Sequence, residues 1–349
     1  MKKFLALLLS AATLSGALAG CSGGKTASKG EVNVYNWGEY IDMSVLDDFE
    51  KETGIKVNYQ TYDSNETMYS KLSGGGASYD VVIPSDYMIA RLIKEDMLEP
   101  LNFDNIPYFS DIDPQLKNPQ YDPQNLYSVP YMWGLMGIIY NTTMVDKPVT
   151  SWGALFDADY SGNVLMIDNP RDAIGIALKY LGYSYNTTDE AQIQEAADFL
   201  IAHKSIYQGY VMDEIFGKLE GGNAAIGAYY YGDYLTMKEN NPDLAFCLPE
   251  EGTNLYVDAM CIPKGAANKE NAEAFINYMC STEAGLKNCE EVWYSSPLLS
   301  VREQLDPEVS GDPYAYPTAE VRAKCETYTN LPDSILDLYN SEWTRLKNS

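Results

Sequence analysis

Histidine is almost missing from this chain of 349 residues: His203, in "LIAHKS", stands alone. A Ser-His-Asp or Cys-His site therefore has no other candidate base. His203 itself lies near a predicted helix end, where a capping or solvent-facing role suffices. Cysteine is sparse and scattered. Cys21, Cys247, Cys261, Cys280, Cys289 and Cys325 show no CxxC spacing, which argues against a zinc cluster. Positive charge is scarce, with 24 Lys and Arg against 50 Asp and Glu and a formal net charge of −26. Phosphate binding needs basic patches, so nucleic acid is not an expected partner. "GGG" at Gly74–Gly76 is not followed by GK[ST], so no phosphate loop is expected. The apolar run "FLALLLSAATL" (Phe4–Leu14) is too short to span a bilayer as a helix, and no other segment could cross one.

That run follows Lys2 and Lys3 and leads through small residues to Cys21, the pattern of an export signal. "LAGC" (Leu18–Cys21) resembles the bacterial lipobox, whose cysteine becomes a lipidated N-terminus after cleavage. An ordinary signal peptide with a stray cysteine is the alternative. Residues 1–20 are expected to be removed, Cys21 to carry lipid, and 21–30 to form a flexible tether reaching roughly 15–20 Å. The remaining chain, about 329 residues, exceeds what one core usually serves, so two lobes are expected. Its 22 basic residues face 50 acidic ones. Most of that charge is read as a solvated surface, with a weak leaning toward cationic partners. Outside the cell Cys280 and Cys289 could form a disulfide, which the spacing leaves open.

Strands alternate with helices along the chain. "EVNVYNW" alternates Val32 and Val34 as a strand, and "DMSVLDDFEKETG" places Val45, Leu46 and Phe49 on one helical face before Gly54. "IKVNYQTY" is a strand, "NETMYSKLSGGG" a short helix, "YDVVIP" a buried strand and "DYMIARLIKEDML" a helix. Later, "NVLMID", "NAAIGAYYY", "LAFCLP" and "VDAMCIP" read as strands, and "NPRDAIGIALKYLGYS", "EAQIQEAADFLIAHK" and "NKENAEAFINYMC" as helices. The order indicates an α/β fold with parallel strand pairs.

Ligands of open α/β sheets bind beyond the carboxyl ends of strands. Those positions carry one repeated kit, an aromatic with a carboxylate or hydroxyl. Trp37, Glu39 and Tyr40 follow the first strand, and Ser85 and Tyr87 follow "YDVVIP". Asp168, Asn169 and Asp172 follow "NVLMI"; Tyr230, Tyr231 and Asp233 follow "NAAIGAY"; Tyr256 and Asp258 sit just before "AMCIP". Each has a plainer reading. Trp37 could be core, Asp168 or Asn169 could cap the helix opening at Pro170, Asp233 could cap another, and Tyr87 could be an ordinary half-buried tyrosine. Their recurrence suits an extended organic cation, since ammonium groups gain about 0.5–2 kcal/mol from each aromatic face.

At "YNWGEYI", "FEKETGIKVNYQTYDSNETMYSKL", "YDVVIPSDY", "YSVPYMWG", "LGYSYNTTD" and "YVDAMCIPKGAANKENA" the chain resembles the substrate-binding proteins of bacterial spermidine/putrescine ABC transporters, over essentially its mature length. The resemblance implies a two-lobed periplasmic-binding-protein-like fold (type II) that clamps a polyamine between lobes, needs no cofactor and is not an enzyme. It implies a monomer that passes its cargo to a permease; together with the lipobox it places the chain lipid-anchored at the outer face of the cell membrane, or facing the periplasm in a two-membrane bacterium. The family's contact residues fall on Trp37, Glu39, Tyr40, Ser85, Tyr87, Asp172, Tyr230, Asp233, Tyr256, Asp258 and Tyr294. Asn169 stands where spermidine-type members have an acid, and Tyr230 and Tyr256 replace larger aromatics. Gly38 replaces a small hydroxyl residue, and Tyr328 falls near an expected glutamine. These departures leave the choice between spermidine and putrescine open. The expected lobes are 31–137 plus 258–300, and 138–257 plus 301–349. A sugar or oligopeptide receptor and a surface glycosidase with two carboxylates are the competing readings. Asp172, Asp233 and Asp258 together would bury more charge than a neutral sugar offsets.

Overall fold

The computed structural model describes residues 29–75 and 78–349. The expected export signal, Cys21 and the expected tether up to Ser28 lie outside the described residues. The first strand, β1 (Glu31–Trp37), buries Val32 and Val34 and pairs in parallel with β2 (Lys56–Tyr62), from Glu31 opposite Lys56 to Trp37 opposite Tyr62. Helix α1 (Ser44–Thr53) connects them. It buries Val45, Leu46 and Phe49, and stops at Gly54, whose φ of 75° suits a residue without Cβ. Helix α2 (Asn65–Ser73) starts at Ser64, which caps the Thr67 N–H.

The apolar run "YDVVIP" forms a shorter strand than its sequence suggests: β3 is Val81–Val82 alone. Side chains take over its neighbouring backbone partners. The Asp80 carboxylate accepts from the Asn33 N–H at 2.8 Å, and the Ile83 carbonyl accepts from Trp37 Nε1 at 2.9 Å and the Tyr62 hydroxyl at 2.7 Å. Helix α3 (Asp86–Lys94) and the short β4 (Leu98–Glu99) follow.

The long strand β5 (Ser128–Asn141) joins the two halves of the fold. At about 3.4 Å per residue it extends for roughly 45 Å. From Ser128 to Leu135 it pairs antiparallel with β10 (Leu255–Pro263). From Met136 onward its partners are β8 (Ile226–Tyr230) and β9 (Leu244–Cys247). On the far side, β6 (Val164–Ile167) runs parallel to β8 and to β7 (Tyr207–Val211). The order is β2-β1-β3-β10-β5-β8-β6-β7, with β4 on β10 and β9 on β5. The result is a two-lobed α/β fold on one curled sheet. The strand β7 escapes sequence reading because Gly209 and the exposed Gln208 interrupt its apolar alternation.

Helices cover both halves. In the second half, α4 (Pro170–Tyr180) and α5 (Glu190–His203) pack together and against the C-terminal helix Asp333–Asn348. The short α6 (Glu214–Glu220) and α7 (Tyr231–Asn240) follow β7 and β8. In the first half, α8 (Lys269–Met279) places Phe275 and Tyr278 edge-on to Phe49 of α1, and α9 (Thr282–Val292) packs beside α1. Cys280 and Cys289 are buried and stand as separate thiols. His203 ends α5, its Nδ1 lying 2.8 Å from the Phe199 carbonyl and its ring against Phe199 and Phe156. Among the described residues no helix is long and apolar enough to cross a membrane.

Where β5 changes partners, backbone and rings crowd together. A Cβ on Gly137 would lie 2.1 Å from Phe246 Cζ and 2.7 Å from the Cys247 carbonyl oxygen. Gly137→Ala should therefore lower stability by roughly 1–3 kcal/mol, read from denaturant unfolding midpoints. An unchanged midpoint would mean that this crossing is loosely packed.

Candidate functional site

The ends of β1, β2, β3, β6, β7 and β8 and the start of β10 deliver residues to one cleft of about 530 Å³. After β1 the chain turns sharply through Gly38 and Glu39, the latter at a φ of 30°. This turn leaves Glu39 at the exposed rim and drives Tyr40 inward. The Tyr40 hydroxyl donates to Asp258 Oδ2 at 2.7 Å, and its carbonyl accepts from the Tyr131 hydroxyl at 2.7 Å. Trp37 is pinned by its Nε1 bond to Ile83 and packs against Tyr62, with ring centroids 4.7 Å apart.

Beyond β3, the Asn65 amide donates to Ser85 Oγ and to the Tyr87 hydroxyl, both at 3.1 Å, and Tyr87 donates to Glu66 at 3.0 Å. Beyond β6, Asn169 is the N-cap of α4: its Oδ1 accepts from the Arg171 and Asp172 N–H groups. The capping reading is thus realised while Asn169 also lines the cleft. Asp168, by contrast, pairs with Lys347 at 2.9 Å and lies outside the lining. The buried Asp172 accepts from the Tyr230 hydroxyl at 3.0 Å and the Tyr328 hydroxyl at 2.7 Å. Asp233, in the first turn of α7, accepts from the Tyr294 hydroxyl at 2.7 Å. Tyr256 lies opposite Gly134 in the sheet, and its hydroxyl would stand 2.5 Å from a Cβ there, so only glycine admits the ring.

All twelve predicted site residues, Trp37, Glu39, Tyr40, Ser85, Tyr87, Asn169, Asp172, Tyr230, Asp233, Tyr256, Asp258 and Tyr294, line this cleft. Others were missed: Tyr62, Asp63, Asn65, Asp86, Arg171, Met212, Asp213, Glu214, Phe216, Tyr229 and Asn254. Tyr62 and Asp63 end β2, so the strand-end rule applied to that strand would have found them. Met212 and Asp213 follow the unrecognised β7. Asp86 and Arg171 are buried charges in first helical turns, which no periodic pattern marks.

The cleft is strongly acidic. Eight lining residues are carboxylic acids and one, Arg171, is basic. The Arg171 guanidinium is itself engaged, lying over the rings of Tyr328 at 4.6 Å and of Tyr87 and Tyr339 at 5.4 Å. Burial pushes the Asp258 and Asp172 carboxyls up to about 6 and Asp233 up to about 7, while their hydroxyl neighbours pull the other way. Asp213 adds to the rise at Asp233. Aromatic walls and desolvated carboxylates favour organic cations. Among the described residues no group of His, Cys, Asp and Glu could hold a metal ion.

The chain belongs to the family of bacterial extracellular solute-binding proteins, whose pattern matches residues 44–318. It is 35% identical to the spermidine/putrescine-binding periplasmic protein of Salmonella typhimurium, across 99% of both chains. It is 31% identical to the putrescine-binding periplasmic protein SpuD of Pseudomonas aeruginosa, again across 99% of both. Among solved structures, the putative spermidine/putrescine ABC transporter protein of Listeria monocytogenes superposes with a TM-score of 0.88 at 40% identity. That superposition covers 91% of this chain and 98% of the other. The spermidine/putrescine substrate-binding protein PotD of Streptococcus pneumoniae gives 0.80 at 39% identity, with the same coverage.

The raised carboxyls have a consequence for the empty protein. A carboxyl whose folded pKa exceeds its unfolded value near 3.8 holds its proton longer when folded. Its stabilising contribution is full below about pH 4 and is lost as pH rises through about 6. Asp258→Asn should escape that loss. The melting temperature of the variant relative to wild type should rise between pH 4.5 and 7.5, measured without ligand. A difference independent of pH would contradict the assignment of Asp258 as a desolvated acid.

Proposed function

We propose that this protein is the extracellular receptor of a polyamine importer, binding spermidine, putrescine or both in the cleft and delivering them to an ABC permease. The observation that carries the reading is a set of carboxylates, the buried Asp172 and Asp258 and the half-buried Asp233, each held by a tyrosine hydroxyl and, among the described residues, none bonded to a basic side chain. Such a cleft is unfavourable when empty and favourable around a polycation. Hydrogen bonds to charged groups contribute roughly 1.5–3 kcal/mol apiece, and the faces of Trp37, Tyr230 and Tyr256 can flank methylenes and ammonium groups. The names of the relatives support the same ligand class. A neutral sugar would leave the three aspartates uncompensated.

The ligand would close a clamp. We assign the lobes as 31–137 plus 258–300 and 138–257 plus 301–349, hinged near the partner change of β5 and the start of β10. Asp258 and Tyr40 then face Asp172 and Tyr230 across the cleft, so a ligand touching both sides favours the closed state. Cys21 would carry the lipid that holds the receptor, as a monomer, to the outer face of the membrane, with the tether giving it reach to the permease. Binding and release, without a chemical step, would complete its task.

Asp258 tests the reading. Losing one partner of a desolvated charge pair costs roughly 2–5 kcal/mol, and each 1.4 kcal/mol is tenfold in affinity. Calorimetric titration should show wild type binding spermidine or putrescine but not maltose, and Asp258→Asn binding at least about 30-fold more weakly. Retention of affinity within threefold would make Asp258 a structural residue; binding of maltose but no amine would overturn the function.

A further inference from the structure

Asp86 opens α3 and is fully buried, yet one of its carboxylate oxygens is unused. Oδ1 accepts from the Tyr87 N–H at 2.7 Å, while Oδ2 has no hydrogen-bond partner among the described residues. A neighbouring carboxylate shares this condition. Asp258 uses Oδ2 for the Tyr40 hydroxyl; the Ser85 hydroxyl lies close enough to ease its charge, but among the described residues no donor meets its Oδ1 in hydrogen-bond geometry. The backbone brings the two together. Ser85 and Asp258 form an antiparallel bridge, and the Ala259 N–H donates to the Pro84 carbonyl at 3.0 Å. Both side chains line the cleft.

We propose that Asp86 and Asp258 form a two-carboxylate subsite for a single ammonium group, with Oδ2 of Asp86 and Oδ1 of Asp258 accepting two of its N–H donors. The proposal rests on the polyamine reading and extends it to a residue outside the set found from sequence. A primary ammonium brings three donors and no acceptor, which matches two oxygens waiting in one wall. A secondary ammonium also supplies two donors, so the subsite fits either kind of amine nitrogen. An acid that only began a helix would need one acceptor and would gain from solvent. Asp86 is shut off from solvent, and although the Val257 N–H faces its carboxylate, among the described residues no donor meets Oδ2 in hydrogen-bond geometry. Burial pushes its carboxyl well above the ordinary range and the Asp258 charge adds to the rise; the Tyr87 and Val257 N–H groups and Arg171 oppose it. An arriving cation would relieve both acids at once.

The test is a double-mutant cycle on the full chain, titrated with spermidine by calorimetry: wild type, Asp86→Asn, Asp258→Asn and the double variant. Asp86→Asn should weaken binding about tenfold or more, with the melting temperature of the empty protein unchanged or raised. If both carboxylates hold one nitrogen, the double variant should lose less than the product of the single losses. Affinity of Asp86→Asn within threefold of wild type would overturn the proposal, as would single losses that multiply. Should Asp86→Asn fail to fold, Asp86→Ser, which keeps an acceptor for the Tyr87 N–H, is read by the same criteria. A wild type that binds no polyamine would overturn the functional reading itself and this inference with it.

Discussion

Carboxylates buried beside tyrosine hydroxyls are the constraint around which this molecule is arranged. An ionised carboxylate removed from water is costly unless donors surround it. Tyr40 supplies one for Asp258, Tyr294 one for Asp233, and Tyr230 and Tyr328 supply Asp172. Hydroxyl donors ease the burial without cancelling the charge, as a lysine or arginine would. The acids are left stable enough to fold and still short of a cation. Arg171, the basic residue of the lining, is held among tyrosine rings.

These bonds also tie distant parts of the chain. Tyr40 lies just past β1 while Asp258 lies in β10; Tyr294 follows α9 while Asp233 sits on α7. The sheet makes such meetings possible because β5 serves both halves, first with β10 and then with β8 and β9. Gly134 and Gly137 in that strand clear room for Tyr256 and Phe246, so the crossing is packed and the cleft wall is set by the same residues. One wall of the cleft and the crossing between the halves are therefore built from one strand pair.

Much of this was legible in the residue pattern. Alternation located β1 and β2, short apolar segments located β6, β8, β9 and β10, and the residues beside the strand ends or starts included Tyr40, Asp172, Asp233 and Asp258. The rest failed for identifiable reasons. "YDVVIP" promised a longer strand, but Trp37 and Tyr62 capture the Ile83 carbonyl, a contact between segments distant in sequence. The strand β7 lacks clean alternation, so Asp213 and Glu214 beyond it went unnoticed. Asp86 merely opens the helix read from "DYMIARLIKEDML" and drew no notice. Its unpaired oxygen depends on β10, about 170 residues later, and no local pattern encodes that meeting.

Under the proposed function the cleft acids stay partly protonated until a cation arrives. Titration with spermidine at pH 6.5, in two buffers of different ionisation enthalpy, reads that directly as protons exchanged per ligand bound. With Asp172 and Asp258 near 6 and Asp233 near 7, binding should release on the order of one proton, falling toward none at pH 8.5. Tight binding with no proton release at pH 6.5 would show that the amines are held elsewhere, and would contradict the clamp of desolvated carboxylates.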